Sequence, residues 1–90
     1  MRLSLVAYLV PDYDAGIGFL SALGFDLIED AAQPGKRWVV MRPPGGGSDL
    51  LVARATGGQA AAIGRQFGGR VGLFLTVADF DATAALIEAA

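Results

Sequence analysis

Ninety residues with a mass of 9.3 kDa make one small domain, and a 53% share of hydrophobic residues against 18% charged excludes a chain disordered throughout. The chain has no cysteine and no histidine, which removes disulfides, thiol nucleophiles, thiolate metal sites and the commonest general base. Its net charge of −2, with seven scattered basic residues, carries no electrostatic footprint for nucleic acid.

The N-terminus, Met1-Arg2 followed by the apolar run Leu3 to Val10, has the outline of a very short signal peptide, but Pro11-Asp12-Tyr13-Asp14 follows with no small-residue cleavage site. A membrane-spanning helix needs about 20 apolar residues, far more than this run supplies. Arg2 to Val10 therefore reads as a buried strand ended by Pro11, and a cytoplasmic protein is the expectation. Asp12 is placed to cap a helix, with Asp14 adding charge that the helix dipole favours. Tyr13, Ile17 and Leu20, with Phe19 and Leu23 on the neighbouring row, fit a helix to about Leu23, stopped by Gly24. Gly16 and Gly18 weaken that helix, unless they mark close packing against a sheet.

Phe25 to Ala31 reads as a second strand and Gln33-Pro34-Gly35-Lys36 as a turn. Arg37 to Arg42, around Trp38, is a third strand, and Asp49 to Arg54, after the flexible Pro43-Pro44-Gly45-Gly46-Gly47-Ser48, a fourth. A phosphate-loop reading of that glycine run fails, because a strand follows it where a helix N-terminus is required. Thr56 to Gly69 is a glycine-rich connection with a short helix at Gln59 to Arg65. Arg70 to Val77 reads as a fifth strand, and Asp79 caps a second helix still running at Ala90.

One feature organises these elements. Val10-Pro11-Asp12-Tyr13-Asp14-Ala15 recurs as Val77-Ala78-Asp79-Phe80-Asp81-Ala82, with four of six positions identical and Tyr replaced by Phe at a fifth. Both copies leave an apolar strand and open an apolar helix, so the repeat is one of structure as well as letters. The fold class expected is α+β: a βαβββ module over residues 1–55, a connection over 56–69, and the strand and helix that begin a second module over 70–90. The helix end Glu88-Ala89-Ala90 lacks a closing glycine or proline, so a longer natural chain is expected.

These residues resemble the vicinal-oxygen-chelate superfamily of glyoxalase I, bleomycin-resistance proteins and extradiol dioxygenases. The carriers are Val10-Pro11-Asp12-Tyr13-Asp14, Phe19-Leu20, Leu23-Gly24-Phe25 and the second opening Val77-Ala78-Asp79-Phe80-Asp81; Lys36-Arg37-Trp38-Val39 and the Pro43–Gly47 run resemble an uncharacterised bacterial branch. The resemblance implies two βαβββ modules forming a curved mixed sheet around a ligand, with helices on its outer face, often in a homodimer. In metal-bearing members histidines stand where this chain has Leu5 and Gly72, neither of which can coordinate, and Asp49 is the one nearby carboxylate of the fourth strand. Counting from those positions, strand parity turns Leu5, Ala7, Leu9, Gly72, Phe74 and Thr76 into the cup, and Val6, Tyr8 and Val10 towards the helices.

That apolar wall, with Trp38, suits an apolar or aromatic small molecule held without a cofactor. A metal-dependent lyase, isomerase or dioxygenase, using a divalent metal whose ligands come from elsewhere, is the first alternative, and an interaction module without ligand the second. Trp38 equally serves a core or interface. Arg54, Arg65, Gln66 and Arg70 stand either at a cavity mouth or as solvated loop residues. Glu29-Asp30 and the Asp12/Asp14 pair offer carboxylates, the latter sufficiently explained as helix caps. The expected partners are a small-molecule ligand and a second copy of the chain, with neither nucleic acid nor membrane.

Overall fold

The computed structural model describes residues 1–90. Its elements are β1 (Leu5–Val10), α1 (Tyr13–Ala22), β2 (Asp26–Gln33), β3 (Lys36–Arg42), β4 (Asp49–Arg54), a 3₁₀ helix at Gly57–Ala62, and α2 (Phe80–Ala89). The strands form one mixed sheet in the order β1-β4-β3-β2. β1 lies parallel to β4, and the other two neighbours are antiparallel. A parallel neighbour requires a crossover, and α1 with the β2–β3 hairpin supplies it. The architecture is the expected α+β mixed sheet.

Local chemistry explains the ends of α1. The Asp12 carboxylate accepts from the amides of Asp14 and Ala15 at 2.9 and 3.4 Å. At the other end the Phe25 amide reaches the Leu20 carbonyl and the Gly24 amide that of Ser21, both at 3.0 Å. That Schellman closure needs Gly24 at φ +93°, and it brings Leu20 and Phe25 together in the core.

Alternation along the strands decides what α1 covers. Val10, Val39, Met41, Leu50 and Val52 point to the helix side and form the core with Leu20 and Phe25; Val6 and Tyr8 pack at its margin. Gly16 lets the helix close on the sheet, since a Cβ there would stand 2.8 Å from Val10 Cγ1 and 3.0 Å from Val52 Cγ1. Gly18 has open space where its Cβ would be. Only one of the two glycines marks close packing.

The structure departs from expectation at Arg70 to Val77. This segment joins no ladder and is exposed throughout, so there is no fifth strand. Its residues have β propensity, but a strand exists only through a paired neighbour, and the edges of the sheet do not receive it. The outer edge of β1 is met at Leu9 by a side chain instead. Leu9 donates its amide to Gln66 Oε1 at 2.7 Å, and Gln66 Nε2 donates to the Leu9 carbonyl at 2.8 Å. The connection carries a 3₁₀ helix ending at Ala62 where a helix to Arg65 was expected. Asp79 caps α2 as expected, accepting from the Ala82 amide at 3.0 Å.

Candidate functional site

The sheet has one face packed under α1 and one face turned away from it. Register places Leu5, Ala7 and Leu9 of β1 beside Asp49, Leu51 and Ala53 of β4, on the face away from the core. Trp38 and Val40 of β3 continue that face, Val40 standing opposite Leu51. Four of the residues expected to line a cup, Leu5, Ala7, Leu9 and Trp38, therefore share one surface, apolar in its centre and only half-covered.

Gly72, Phe74 and Thr76 do not join them. Parity located these three by treating residues 70–77 as a strand beside the sheet, and without a ladder that rule has no hold on them. Phe74 and Thr76 instead line a hollow of about 650 Å³ on the helix side, facing Tyr8, Leu23 and Phe25, with Ile87 of α2 at its margin. Phe74 remains 85% exposed. The Phe67 ring lies on Gly72 so closely that any Cβ would overlap it.

A second hollow, about 310 Å³, opens where β3 and β4 part company. Their ladder spans only Val39–Met41 against Leu50–Val52, although β3 starts at Lys36 and β4 continues to Arg54. Tyr13, the first residue of α1, reaches into this fork and its hydroxyl accepts from the Arg37 amide at 3.3 Å. The guanidinium groups of Arg37 and Arg54 lie 5.3 and 5.7 Å from the Tyr13 ring centre. Arg37 also binds Asp30, at 3.1 Å from Nε and 2.6 Å from Nη2, and Asp14 at 2.9 Å from Nη1. Hydrogen bonding from Arg37 holds the Asp30 carboxyl below the usual carboxylate range, and the same bonds raise the guanidinium further.

The resemblance expects metal-ligating side chains at positions that this chain fills with Leu5 and Gly72. Leu5 and Gly72 have no donor atom, and both carboxylate oxygens of Asp49 accept from Arg42, at 3.0 and 3.1 Å. That pairing lowers the Asp49 carboxyl. No three acidic, histidine or cysteine side chains converge anywhere in the structure.

The sequence model of the Glyoxalase/Bleomycin resistance protein/Dioxygenase superfamily matches residues 2–90. The chain belongs to that superfamily. It is also similar to an uncharacterized protein of Shewanella frigidimarina (strain NCIMB 400), 52% identical over 80 residues that make up 83% of this chain and 59% of the relative. Among solved structures it resembles TnmS3, an antibiotic binding protein from Streptomyces sp. CB03234, with a TM-score of 0.57 and 24% identity. That match covers 92% of this chain and 66% of TnmS3, and it shows a shared fold. The chain thus spans about three fifths of the length of its curated relative. No helix is long and apolar enough to cross a membrane.

Sequence reasoning left three contacts of this region unread. Local pattern leaves Gln66 and Arg54 as either cavity-mouth groups or solvated loop residues, and shows Tyr13 as an apolar helical position in the repeated corner. The fork depends on a strand pairing that stops early, which the composition of neither strand announces. The edge contact of Gln66 crosses 57 positions of sequence, beyond the reach of any local pattern.

Proposed function

We propose that this superfamily member is a metal-independent binding protein that holds an apolar or aromatic small molecule against the sheet face opposite α1, on Leu5, Ala7, Leu9 and Trp38. The observation that carries the reading is the outer face of the sheet: α1 packs on the other side, and here Leu5, Leu9, Trp38 and Leu51 form an apolar surface that stays partly uncovered around the exposed Ala7. Apolar concave surfaces with few polar groups bind small molecules mainly by burial. The donor-free side chains at Leu5 and Gly72 support binding without a metal. TnmS3, which shares the fold, is an antibiotic binding protein, and that likeness supports a ligand of this broad kind.

In this reading the chain is cytoplasmic, residues 1–55 are a complete module and residues 70–90 the opening of another, with 56–69 connecting them. A homodimer closes the cup. The exposed apolar side chains of Val71, Phe74 and Leu75 support association, because such a patch is costly in water.

Trp38, the only tryptophan, reports directly on the face. Titrating the protein with a panel of single- and fused-ring aromatic compounds while following tryptophan emission is expected to give saturable quenching that survives EDTA. Ala7→Asp, which sets a charge on the face, is expected to weaken binding at least tenfold. Absence of quenching across the panel overturns ligand binding at this face, and binding that vanishes with EDTA and returns with a divalent ion overturns metal independence.

A further inference from the structure

The fork between β3 and β4 is distinctive in its charge: every ionisable side chain that lines it, apart from the Tyr13 phenol, is a cation. The ion pairs of the chain join Arg37 to Asp14 and Asp30, and Arg42 to Asp49. Arg54 and Lys36 belong to none of them, and neither donates a side-chain hydrogen bond within the protein. Both line the fork hollow. A guanidinium carries five N–H donors in a planar fork that matches a carboxylate. The Tyr13 ring beneath Arg54, 5.7 Å from its centre, restrains the guanidinium without consuming those donors.

Charge arithmetic points the same way. Arg37, Arg54 and Lys36 bring three positive charges, and Asp14 and Asp30 bring two negative ones, both committed to Arg37. The net balance is one positive charge, and Arg54 and Lys36 are the two cations without a partner. The remaining walls are aromatic and aliphatic, with Trp38 and Leu51 extending the hollow onto the outer sheet face. At about 310 Å³ the space is at the small end of ligand sites, the size for a single-ring compound.

We infer that the fork is an anion-recognising subsite for a small aromatic carboxylate, its carboxylate paired with Arg54 and Lys36 and its ring against Trp38. The inference rests on the reading that a ligand lies on the Trp38 side of the sheet, and it adds the chemical class of that ligand. An arginine held over an aromatic ring is preorganised, so ordering it costs little when the anion arrives. A neutral isostere forfeits the charged hydrogen bonds while keeping the ring contact.

Benzoate and benzamide, differing in charge and little else, are the probes. Trp38 emission is followed for the wild type, Arg54→Ala and Arg54→Lys. Benzoate is expected to bind at least tenfold more tightly than benzamide, to weaken with added salt, to lose at least tenfold in Arg54→Ala and to recover in part in Arg54→Lys. Benzamide affinity is expected to be the same in all three proteins. Equal binding of the two probes, or benzoate binding untouched by Arg54→Ala, overturns the anion subsite and leaves the apolar face standing. Quenching by neither probe overturns the subsite; if the wider aromatic panel also fails, the face falls with it. Arg54 is exposed at the end of β4, so circular dichroism of both variants is expected to match the wild type.

Discussion

The two copies of the repeated corner make the same helix and very different structures. α1 and α2 each run for 10 residues behind an aspartate cap, Asp12 in one and Asp79 in the other. At equivalent positions, Leu20 is 4% exposed and Ile87 39%. Gly16, which admits Val10 and Val52 to the helix axis, is matched by Thr83, whose branched side chain forbids that approach. All buried residues of the chain fall between Val10 and Val52. Capping and periodicity are properties of a few neighbouring residues; burial needs an opposing surface. α1 has a sheet beneath it, whereas the segment that precedes α2 joins no sheet.

The largest consequence concerns the matched pair Leu20 and Ile87. Leu20→Ala is expected to cost about 2–5 kcal/mol in urea unfolding, since it removes a packed side chain and leaves a cavity. Ile87→Ala is expected to cost less than about 1 kcal/mol, as for surface positions. Similar losses at both sites would dissolve the distinction between the two copies.

The glycines of α1 give a smaller and oppositely signed pair. Gly16→Ala is expected to lose about 1–3 kcal/mol, because the new methyl meets the two valines and the helix must move. Gly18→Ala, with open space at its Cβ and an ordinary helical backbone, is expected to gain about 0.5–1 kcal/mol. Thermal midpoints moving in opposite directions are the outcome to look for.

Acid titration sharpens the comparison last. Asp30 and Asp49 are held below the usual carboxylate range by Arg37 and Arg42, and every ion pair lies in the first copy. A lowered carboxyl contributes stability above its unfolded pKa of about 3.9, and that contribution is lost as pH falls through its folded value. Stability of the sheet is therefore expected to decline below about pH 4, with a shallower decline in Asp30→Asn. These pairs are solvent-exposed, so the effect is modest.

Within residues 5–54 the boundaries with a local cause were legible: Pro11 after β1, Asp12 at the helix start, Gly24 at its stop, Pro34-Gly35 in the hairpin. The start of β1 at Leu5 rather than Arg2, and the run of β2 to Gln33 rather than Ala31, have no such mark. Parity separated Val6, Tyr8 and Val10 from Leu5, Ala7 and Leu9, and the family resemblance implied which set lies on the helix side. The same reasoning failed at Gly72, Phe74 and Thr76, where alternation presupposes a ladder that does not form. It also missed the fork, since Tyr13, Arg37 and Arg54 are brought together by three different elements.

By itself the sequence determined the kinds of chemistry this chain lacks, the capped helices and the alternation of its strands, because these depend on residue types and on neighbours within a few positions. Tertiary structure alone decided which corner of the repeat is buried, how Gln66 meets the β1 edge, and where two unpaired cations face an aromatic hollow. Those outcomes depend on which backbone groups find partners across the chain, and local pattern does not encode the end of a ladder.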